Sequence, residues 1–509
     1  MLASVNTLVL TGIEASTVQV EVDIHSGLPG FEIVGLASAA VKEARERVRS
    51  AIRNSGYRFP NTKITVNLAP ADVKKEGSHF DLPIALGILL ASEQLDELKD
   101  LNSYYLAGEL SLDGSLRPVP GVLPMALHLA AIDESSRFIV PVSNGSEASL
   151  VEEIASYGLT HLNHVIELLS GAIVMEPVKP QRPVQTAWEM IPDFTEVRGQ
   201  ESAKRALQIA AAGMHNILLI GPPGSGKTML ARRLPGIFPE MTREEILETS
   251  RIYSVAGLLS GSQPLINMRP FRSPHKNASS ASIIGGGRIP RPGEISLAQN
   301  GILFLDELPE FSRDVLEALR QPLEDRVVTV ARAQATYSFP ASFTLVASMN
   351  PCPCGFLGSD QECKCTPLQV QAYRRRLSGP LLDRIDLHVE VPRLQYEQIK
   401  ERKSGKNSEQ IRIRVARARE IQAKRFAKLP YQVNAQMGSA QVRQFCRLDE
   451  ESEQLLKNAF TRLHLSARAY DRVLKVARTI ADLEESETIK INHLAEALQY
   501  RSLDRSYLI

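Results

Sequence analysis

The chain has 509 residues, of which 43% are hydrophobic and 23% are charged, and its formal net charge is only +1. The length predicts roughly three domains, and the composition is typical of a globular protein. The near-neutral charge excludes a protein that coats nucleic acid with a globally basic surface, so any DNA contact must use local basic patches. Five cysteines do not indicate a disulfide scaffold. With no signal-like start and no apolar run of membrane-spanning length, we expect a cytoplasmic location and no membrane partner.

The first segment, about 170 residues long, combines strand patterns with one helix-like stretch. Residues 18–24 and 63–68 are rich in β-branched side chains, and residues 39–54 are typical of a helix. A Pro-rich and polar stretch at 176–183 lies in a predicted linker, residues 173–192. The basic side chains of the first segment are candidate phosphate contacts or members of a solvated charged face: Arg45, Arg47, Arg49, Arg53, Lys74 and Lys75.

A glycine-rich segment at 221–228 reads Gly-Pro-Pro-Gly-Ser-Gly-Lys-Thr and fits the phosphate-loop pattern G-x-x-x-x-G-K-[ST]. An apolar run at 217–220, typical of a buried strand, precedes it, and a helix-like stretch follows. Glycines let backbone N–H groups surround phosphate oxygens, and the helix N-terminus adds partial positive charge. The pattern predicts that Lys227 reaches the β- and γ-phosphates of ATP and that Thr228 binds Mg²⁺. The expected nucleotide-binding residues are Gly221, Pro222, Pro223, Gly224, Ser225, Gly226, Lys227, Thr228 and Met229.

The second half of the predicted nucleotide site lies downstream. An apolar strand ends in Asp306 and Glu307. Asp306 is placed to hold Mg²⁺ and Glu307 to polarise the attacking water, although such a pair also caps helices. A third predicted strand, residues 343–349, ends at Asn350, which could orient the water or sense the γ-phosphate. The catalytic candidates from these patterns are therefore Lys227, Glu307 and Asn350.

Further motifs resemble those of one ATPase family. Residues 197–200 resemble a segment that precedes the phosphate loop in AAA+ ATPases. Residues 271–275, 285–288 and 291–298 together resemble the bacterial YifB/ComM family of magnesium chelatase-like proteins, and the resemblance extends over essentially the whole chain. One departure is Lys276, where the family pattern leads us to expect a second histidine.

The resemblance implies an α/β multidomain protein with an AAA+ parallel-sheet core at 193–392 and a C-terminal helical lid at 393–509. Residues 381–386 resemble the arginine-finger segment of the magnesium-chelatase clade, and Arg468 resembles its sensor 2. Arg384 would then act on ATP held by a neighbouring subunit, which requires a ring, implied to be a homo-hexamer. The alternatives are that Arg384 pairs with an adjacent aspartate on a surface and that Arg468 is solvated.

Residues 75–86, 108–114 and 117–121 resemble Lon-type proteases. His79 stands where the nucleophilic serine belongs, and the catalytic lysine would fall near Leu123 or Pro124, neither of which can activate a serine. Covalent catalysis needs both groups, so the resemblance implies a Lon-protease-like α+β domain at 1–172 without the protease dyad. Ser78 leaves a shifted dyad open. The same fold resembles the C-terminal domain of RadA-type branch-migration ATPases, which implies a scaffold for hexamerisation or DNA threading.

Two C-x-C pairs lie in the segment 352–365 of the predicted core. Four thiolates could close a tetrahedral Zn²⁺ site and fold a loop that has little core of its own. Four reduced thiols are the alternative. The candidate ligands are Cys352, Cys354, Cys363 and Cys365.

Several cationic segments are candidate DNA contacts that would hold phosphates without reading sequence: Arg288–Arg291, Arg326–Arg332, Arg374–Arg376, Arg412, Arg414, Arg417 and Arg419. The family resemblance implies an ATP-driven ring motor on single-stranded or branched DNA, specifically a branch-migration helicase in homologous recombination or natural transformation. The alternatives are a metal-insertion ATPase of the magnesium chelatase type and a protein-remodelling AAA+ ATPase.

Overall fold

The computed structural model describes residues 1–95, 98, 100–180, 188–287, 290–331, 336–395, 406–429, 432–463 and 465–501. The chain divides into two compact units. The first comprises Met1–Val184, Arg243–Asn267 and Ala331–Ser338, and the second comprises Gln185–Thr242, Met268–Val330 and Phe339–Ile509. Two stretches within the predicted ATPase core, 243–267 and 331–338, thus group with the first unit. The domain limits inferred from the sequence stay predictions.

The N-terminal part of the chain alternates strands and helices. Its elements are β1 (Leu2–Thr11), β2 (Glu14–His25), β3 (Gly30–Val34), α1 (Ala39–Asn54), β4 (Lys63–Ala69), α2 (Asp81–Ala91), β5 (Tyr104–Leu106), β6 (Glu109–Leu110), β7 (Leu116–Arg117), α3 (Val122–Ile132), β8 (Arg137–Pro141), α4 (Val142–Ala148), β9 (Ala155–Leu159) and α5 (Leu162–Leu169). The strands predicted near 18–24 and 63–68 and the helix predicted at 39–54 are confirmed.

Seven of these strands form one mixed sheet in the order β3-β4-β2-β1-β5-β8-β9. Because side chains alternate across a strand, β1 contributes to two cores. Val5 and Val9 pack with buried residues of α1, α2 and α5, whereas Leu8 packs with those of α3 and α4. The sheet therefore has helices on both faces.

The remaining elements are α6 (Glu201–Gly213), β10 (Ile217–Ile220), α7 (Lys227–Arg233), α8 (Arg243–Ala256), β11 (Phe271–Arg272), α9 (Ser280–Ile284), β12 (Gly285–Gly286), β13 (Arg291–Pro292), α10 (Glu294–Leu297), β14 (Ile302–Leu305), α11 (Arg313–Ala318), α12 (Arg320–Asp325), β15 (Val327–Ala331), β16 (Thr336–Pro340), β17 (Thr344–Met349), α13 (Pro367–Arg374), α14 (Gly379–Leu382), β18 (Leu387–Glu390), α15 (Ser408–Arg425), α16 (Ser439–Phe445), α17 (Glu450–Leu463), α18 (Ala467–Leu483) and α19 (Ile491–Gln499). Of these, α8 belongs to the first unit, where Ser254 donates a hydrogen bond to the buried carboxylate of Glu147.

The second unit contains a parallel five-stranded sheet in the order β11-β14-β17-β10-β18. Strands β10, β14 and β17 are buried along their whole length, as expected for parallel strands covered on both faces. In register, Ile220 lies opposite Met349, and Leu305 lies opposite Ala347. The segments that follow β10, β14 and β17 therefore leave the sheet at the same edge, where ligands of open α/β sheets bind.

Helices α15 to α19 complete the second unit and share one apolar core with the parallel sheet. A buried polar cluster also joins them to it. Asp386 accepts hydrogen bonds from Arg472 and from the backbone N–H of Asn216. Burial alone would raise the pKa of Asp386, but the Arg472 charge and the His215 contact hold it far below its usual range. The helical lid and the parallel-sheet core predicted from the resemblance are confirmed.

His79 and Ser78, the two residues at the position of the Lon-type nucleophile, contact other groups of the first unit. The ring of His79 is buried, its Nε2 lies 2.8 Å from the Leu8 carbonyl oxygen, and burial lowers its pKa to about 4. The hydroxyl of Ser78 donates to Glu109, so neither a lysine nor a histidine takes its proton. The absence of a protease dyad stays a prediction, because the Glu109 carboxylate is itself a base at hydrogen-bond distance from Ser78. The Lon-like character of this unit stays a prediction.

Three of the candidate phosphate contacts in the first unit make contacts within the fold. Lys75 is fully buried and donates to the Pro70 carbonyl. Arg47 makes two hydrogen bonds to the buried carboxylate of Asp81, at 2.7 and 3.0 Å. The Arg49 guanidinium lies 5.2 Å from the ring centre of Phe59. The structure therefore does not support Lys75 and Arg47 as phosphate contacts, whereas the half-buried Arg49 stays a candidate.

Among the described residues, no helix combines the length and the apolarity that crossing a membrane requires.

Candidate functional site

The glycine-rich segment joins β10 to α7 and adopts a backbone that glycine favours. Gly224 has φ +76° and Gly226 has φ +93°, the left-handed region that other residues rarely adopt. Gly226 caps α7, which begins at Lys227. The buried Ser225 hydroxyl has no hydrogen-bond partner among the described residues. A buried polar atom without a partner is a point where a ligand can bind, so this loop fits the phosphate group that its sequence predicts.

The Lys227 side chain lies at the edge of the parallel sheet. Its Nζ donates to the carbonyl oxygens of Gly221 at 2.7 Å and Pro222 at 3.0 Å, and to Asn350 Oδ1 at 3.3 Å. Burial lowers the pKa of Lys227, while the charges of Asp306 and Glu307 oppose that shift. The structure thus brings Lys227 and Asn350 together.

Asp306 and Thr228 meet at the ends of β14 and the phosphate loop. The Thr228 hydroxyl donates to Asp306 Oδ2 at 2.9 Å, and Ser348 donates to Asp306 Oδ1. Hydroxyl and carboxylate oxygens are the ligands that Mg²⁺ prefers, so the Thr228–Asp306 pair fits the predicted metal position. The contribution of Ser348 was missed by sequence reasoning. Its signal was a small hydroxyl in the mostly apolar strand β17, two positions before Asn350.

Glu307 follows Asp306 with a left-handed backbone, at φ +55°. Its N–H donates to the Ser348 hydroxyl at 3.2 Å, and its Oε2 accepts a 2.6 Å hydrogen bond from Lys276 Nζ. This hydrogen bond raises the pKa of Lys276. Because the side chains of Lys276 and Glu307 are 39% and 48% exposed, solvent screens the pair and it can open at little cost. The sequence marked Lys276 only as a departure from the family pattern and did not connect it to Glu307.

Arg384 and Arg468 converge on one carboxylate. Arg384 Nη2 pairs with Glu324 Oε2, and Arg468 Nη2 lies 3.3 Å from Glu324 Oε1. Arg384 is mostly buried, with its Nη1 donating to the Pro380 carbonyl at 2.6 Å, whereas Arg468 is 58% exposed. The alternative in which Arg384 pairs with Asp383 or Asp386 is not what the structure shows. The shared partner, Glu324, was missed because nothing in its local sequence distinguishes it.

The four cysteines of the loop between β17 and α13 also come together. Their sulfur atoms all lie within 4.8 Å of one another. The fifth cysteine, Cys446, is buried at the end of α16 in the helical part of the unit.

Several arginines predicted to contact DNA have structural partners instead. Burial lowers the pKa of Arg326 to about 10, and its guanidinium lies near the Asp386 charge. Arg412 stacks on Trp188 at 4.0 Å from the ring centre. Arg419 donates to the Ala211 carbonyl at 2.9 and 3.2 Å. The structure therefore does not support these three arginines as phosphate contacts.

Other members of that set remain at the surface. Arg291, Arg375 and Arg414 are exposed, without side-chain partners in the part of the chain that the structure describes. Arg376 is paired with Glu310 at 3.1 Å and Arg417 with Glu485 at 3.6 Å. The predicted contacts at 288 and 332 lie outside the described residues.

Three family models match the chain. The model for "Magnesium chelatase, subunit ChlI" matches residues 193–399, "Subunit ChlI of Mg-chelatase" matches 20–144, and "Magnesium chelatase, subunit ChlI C-terminal" matches 405–501. The matches include the phosphate loop, the segment with Asp306 and Glu307, and the C-terminal helices.

Similar proteins of nearly the same length occur in several bacteria. The chain is 48% identical over 506 residues to the uncharacterised protein YifB of Escherichia coli K12, covering 99% of this chain and 98% of YifB. It is 47% identical over 511 residues to the competence protein ComM of Haemophilus influenzae, with the same coverage. An uncharacterised protein of Mycobacterium bovis is 42% identical over 496 residues, 97% of each chain. The chain therefore belongs to the magnesium chelatase-like AAA+ family that includes YifB and ComM.

Proposed function

We propose that this chain is an ATP-driven ring motor that acts on DNA and catalyses branch migration in homologous recombination or natural transformation. The observation that carries the ATPase part is the convergence of Lys227, Thr228, Asp306, Glu307 and Asn350 at one edge of the parallel sheet. The DNA part rests on the 47% identity to ComM, which is described as a competence protein. We place the protein in the cytoplasm, where its DNA substrate lies.

Each residue of the candidate site has the role in ATP hydrolysis that its side chain allows. The phosphate-loop N–H groups and the Lys227 ammonium bind the phosphates, since both offer donors at the end of β10. Thr228 and Asp306 would hold Mg²⁺, which would supply positive charge to offset the negative charge of the phosphates. Glu307 accepts the proton of the attacking water, and Asn350 orients that water. The hydrogen bond from Lys276 occupies the Glu307 carboxylate until this ion pair opens.

Lys227→Ala is expected to weaken ATP binding by about two orders of magnitude, because the loop loses a charge-assisted hydrogen-bond donor. Fluorescence titration with a labelled ATP analogue measures the effect. Arg232→Ala, on an exposed position of α7, is the matched control and should bind as the wild type does. Wild-type affinity in the Lys227 variant would remove this residue from the site.

In the ring that we propose, a homo-hexamer, Arg384 and Arg468 act on ATP of the adjacent subunit. Their common pairing with Glu324 supports a shared role, because one carboxylate holds both cations within the isolated chain. Approach of a nucleotide phosphate would offer both arginines a more highly charged partner. Arg384 must leave a mostly buried position for this, so its pairing with Glu324 has to break on assembly.

The DNA part is tested by measuring ATP hydrolysis with single-stranded, duplex and forked DNA. We expect stimulation that falls steeply with salt concentration and varies little with base sequence, because the exposed arginines suit phosphates.

Arg375→Ala should reduce the stimulation by DNA, and it should lower by about one unit the slope of log DNA affinity against log salt concentration. Lys457→Ala, exposed on α17 outside the candidate segments, is the control. An ATPase rate that no DNA changes would contradict a DNA-dependent motor.

A second candidate function is a metal-insertion ATPase of the magnesium chelatase type. All three matching family models carry the chelatase name, which favours it. The two functions share the ATP site and differ in the substrate on which the motor acts, which is DNA in the first and a tetrapyrrole in the second. An ATPase that is indifferent to DNA but stimulated by a tetrapyrrole with its metal-insertion partner would favour the chelatase type.

A further inference from the structure

The four sulfur atoms of the cysteine loop are arranged as ligands of one ion. Cys352 Sγ lies 3.4 Å from Cys354 Sγ and 3.7 Å from Cys363 Sγ, and Cys354 Sγ lies 3.6 Å from Cys363 Sγ. A tetrahedron with Zn–S bonds of about 2.3 Å has S–S edges of about 3.8 Å. Cys365 lies within the same 4.8 Å group. An iron–sulfur cube holds its cysteine sulfurs farther apart, so the spacing fits a single ion.

Backbone donors support these sulfurs as thiolates. The N–H of Leu357 points to Cys352 Sγ, and the N–H of Cys354 points to Cys365 Sγ, each at 3.4 Å. Such hydrogen bonds orient metal ligands and stabilise their negative charge. The hydrogen bond from Cys354 to Cys365 also links the first C-x-C pair to the second, which is what an ion bound by both pairs requires.

The loop has little apolar core to hold it in place. Residues 351–366 contain neither helix nor strand, and Pro351, Cys352 and Gly355 are their buried members. Loops of more than about 12–15 residues without secondary structure are uncommon in compact domains unless they are functional. A bound ion can replace a hydrophobic core as the source of folding free energy.

We propose that Cys352, Cys354, Cys363 and Cys365 form a structural Zn²⁺ site that fixes the cysteine loop, residues 351–366, against the phosphate loop. The ligand set is four thiolates, which favours Zn²⁺ over the hard cations Mg²⁺ and Ca²⁺. Four protein ligands close the coordination sphere, so the role of the ion is structural and not catalytic.

The loop contacts the nucleotide site on both sides of the first C-x-C pair. A Cβ on Gly355 would lie 2.5 Å from Cδ of Pro223, so the loop backbone packs directly on the phosphate loop. Asn350, two residues before Cys352, accepts from Lys227. After the second pair, Thr366 caps α13, whose buried Tyr373 hydrogen-bonds to the Asn350 backbone. Fixing the cysteines therefore also fixes Asn350 and Pro223.

The first test measures metal in full-length protein purified without chelator. Elemental analysis should find about one zinc per chain. Cys352→Ser/Cys354→Ser should lose it, whereas Cys446→Ala should keep it. Should the double variant not fold, a thiol-reactive mercurial titrated into the wild type should release the zinc to a chelating dye. Folded wild type that holds no zinc even after zinc supplementation, or that holds iron instead, would overturn the proposal.

The second test measures the link to the phosphate loop, with circular dichroism confirming the fold. Zinc-stripped wild type should bind a fluorescent ATP analogue at least about fivefold more weakly, a change of about 1 kcal/mol, and re-addition of zinc should restore binding. Unchanged affinity in the zinc-free protein would overturn the coupling. Neither readout needs DNA, so failure here is distinct from failure of the motor function.

Discussion

Glu307→Gln is expected to slow ATP hydrolysis by about 10²–10⁴-fold while ATP binding stays close to wild type. The amide keeps the size of the carboxylate and can still accept the hydrogen bond from Lys276, so the local structure is preserved. It cannot take a proton from water, which is the role that we propose for Glu307. Single-turnover hydrolysis, compared with binding of a labelled ATP analogue, separates the two effects.

Glu310→Gln is the matched control for this variant. Glu310 lies three residues further along the chain and pairs with Arg376 at 3.1 Å, outside the cluster around Asp306. Its replacement should change turnover by less than about threefold, the effect of a screened surface pair. Equal rates for Glu307→Gln and wild type would show that another group activates the water.

Arg384→Ala is expected to reduce hydrolysis by about 10³-fold or more in the assembled ring, because a cation near the γ-phosphate stabilises the charge that builds during transfer. ATP binding by isolated subunits should change little. Since Arg384 is mostly buried, a thermal melt must show that the variant is folded. Glu324→Gln is the informative control: it removes the negative charge that pairs with Arg384 but keeps the arginine, and it should leave turnover largely intact.

Mixing two inactive variants tests whether Arg384 acts between subunits. In rings that combine Arg384→Ala with Glu307→Gln subunits, some sites receive an intact Glu307 from one chain and an intact Arg384 from its neighbour. Those sites should hydrolyse ATP, so activity should reappear. If mixed rings form and remain inactive at every ratio, the arginine does not act in this way.

Much of the geometry of the candidate nucleotide site could be predicted because its signals are local. Buried parallel strands are short apolar runs, so the ends of β10, β14 and β17 and the polar residues after them are visible in the sequence. The phosphate loop carries its own pattern of glycine, lysine and threonine. The two C-x-C pairs predicted a possible metal site and left four separate thiols as the alternative; the structure brings the four sulfur atoms together.

Contacts between distant segments could not be predicted in this way. Lys276 meets Glu307, and Arg384 and Arg468 meet at Glu324, only because of how the chain folds. The burial of Lys75 and the partial burial of Arg326 likewise depend on tertiary packing, whereas the sequence shows only that they are basic. The grouping of residues 243–267 with the first unit reflects long-range packing of α8, which periodicity along the chain does not encode.

The central claim, a motor that uses ATP to move DNA branches, is tested most directly with a synthetic four-way junction whose arms are mobile. Wild-type protein with ATP and Mg²⁺ should convert the junction to duplex products, and a non-hydrolysable ATP analogue should not support conversion. Glu307→Gln should bind the junction but leave it unchanged. An intact ring that hydrolyses ATP in the presence of the junction, yet never converts it, would contradict the account.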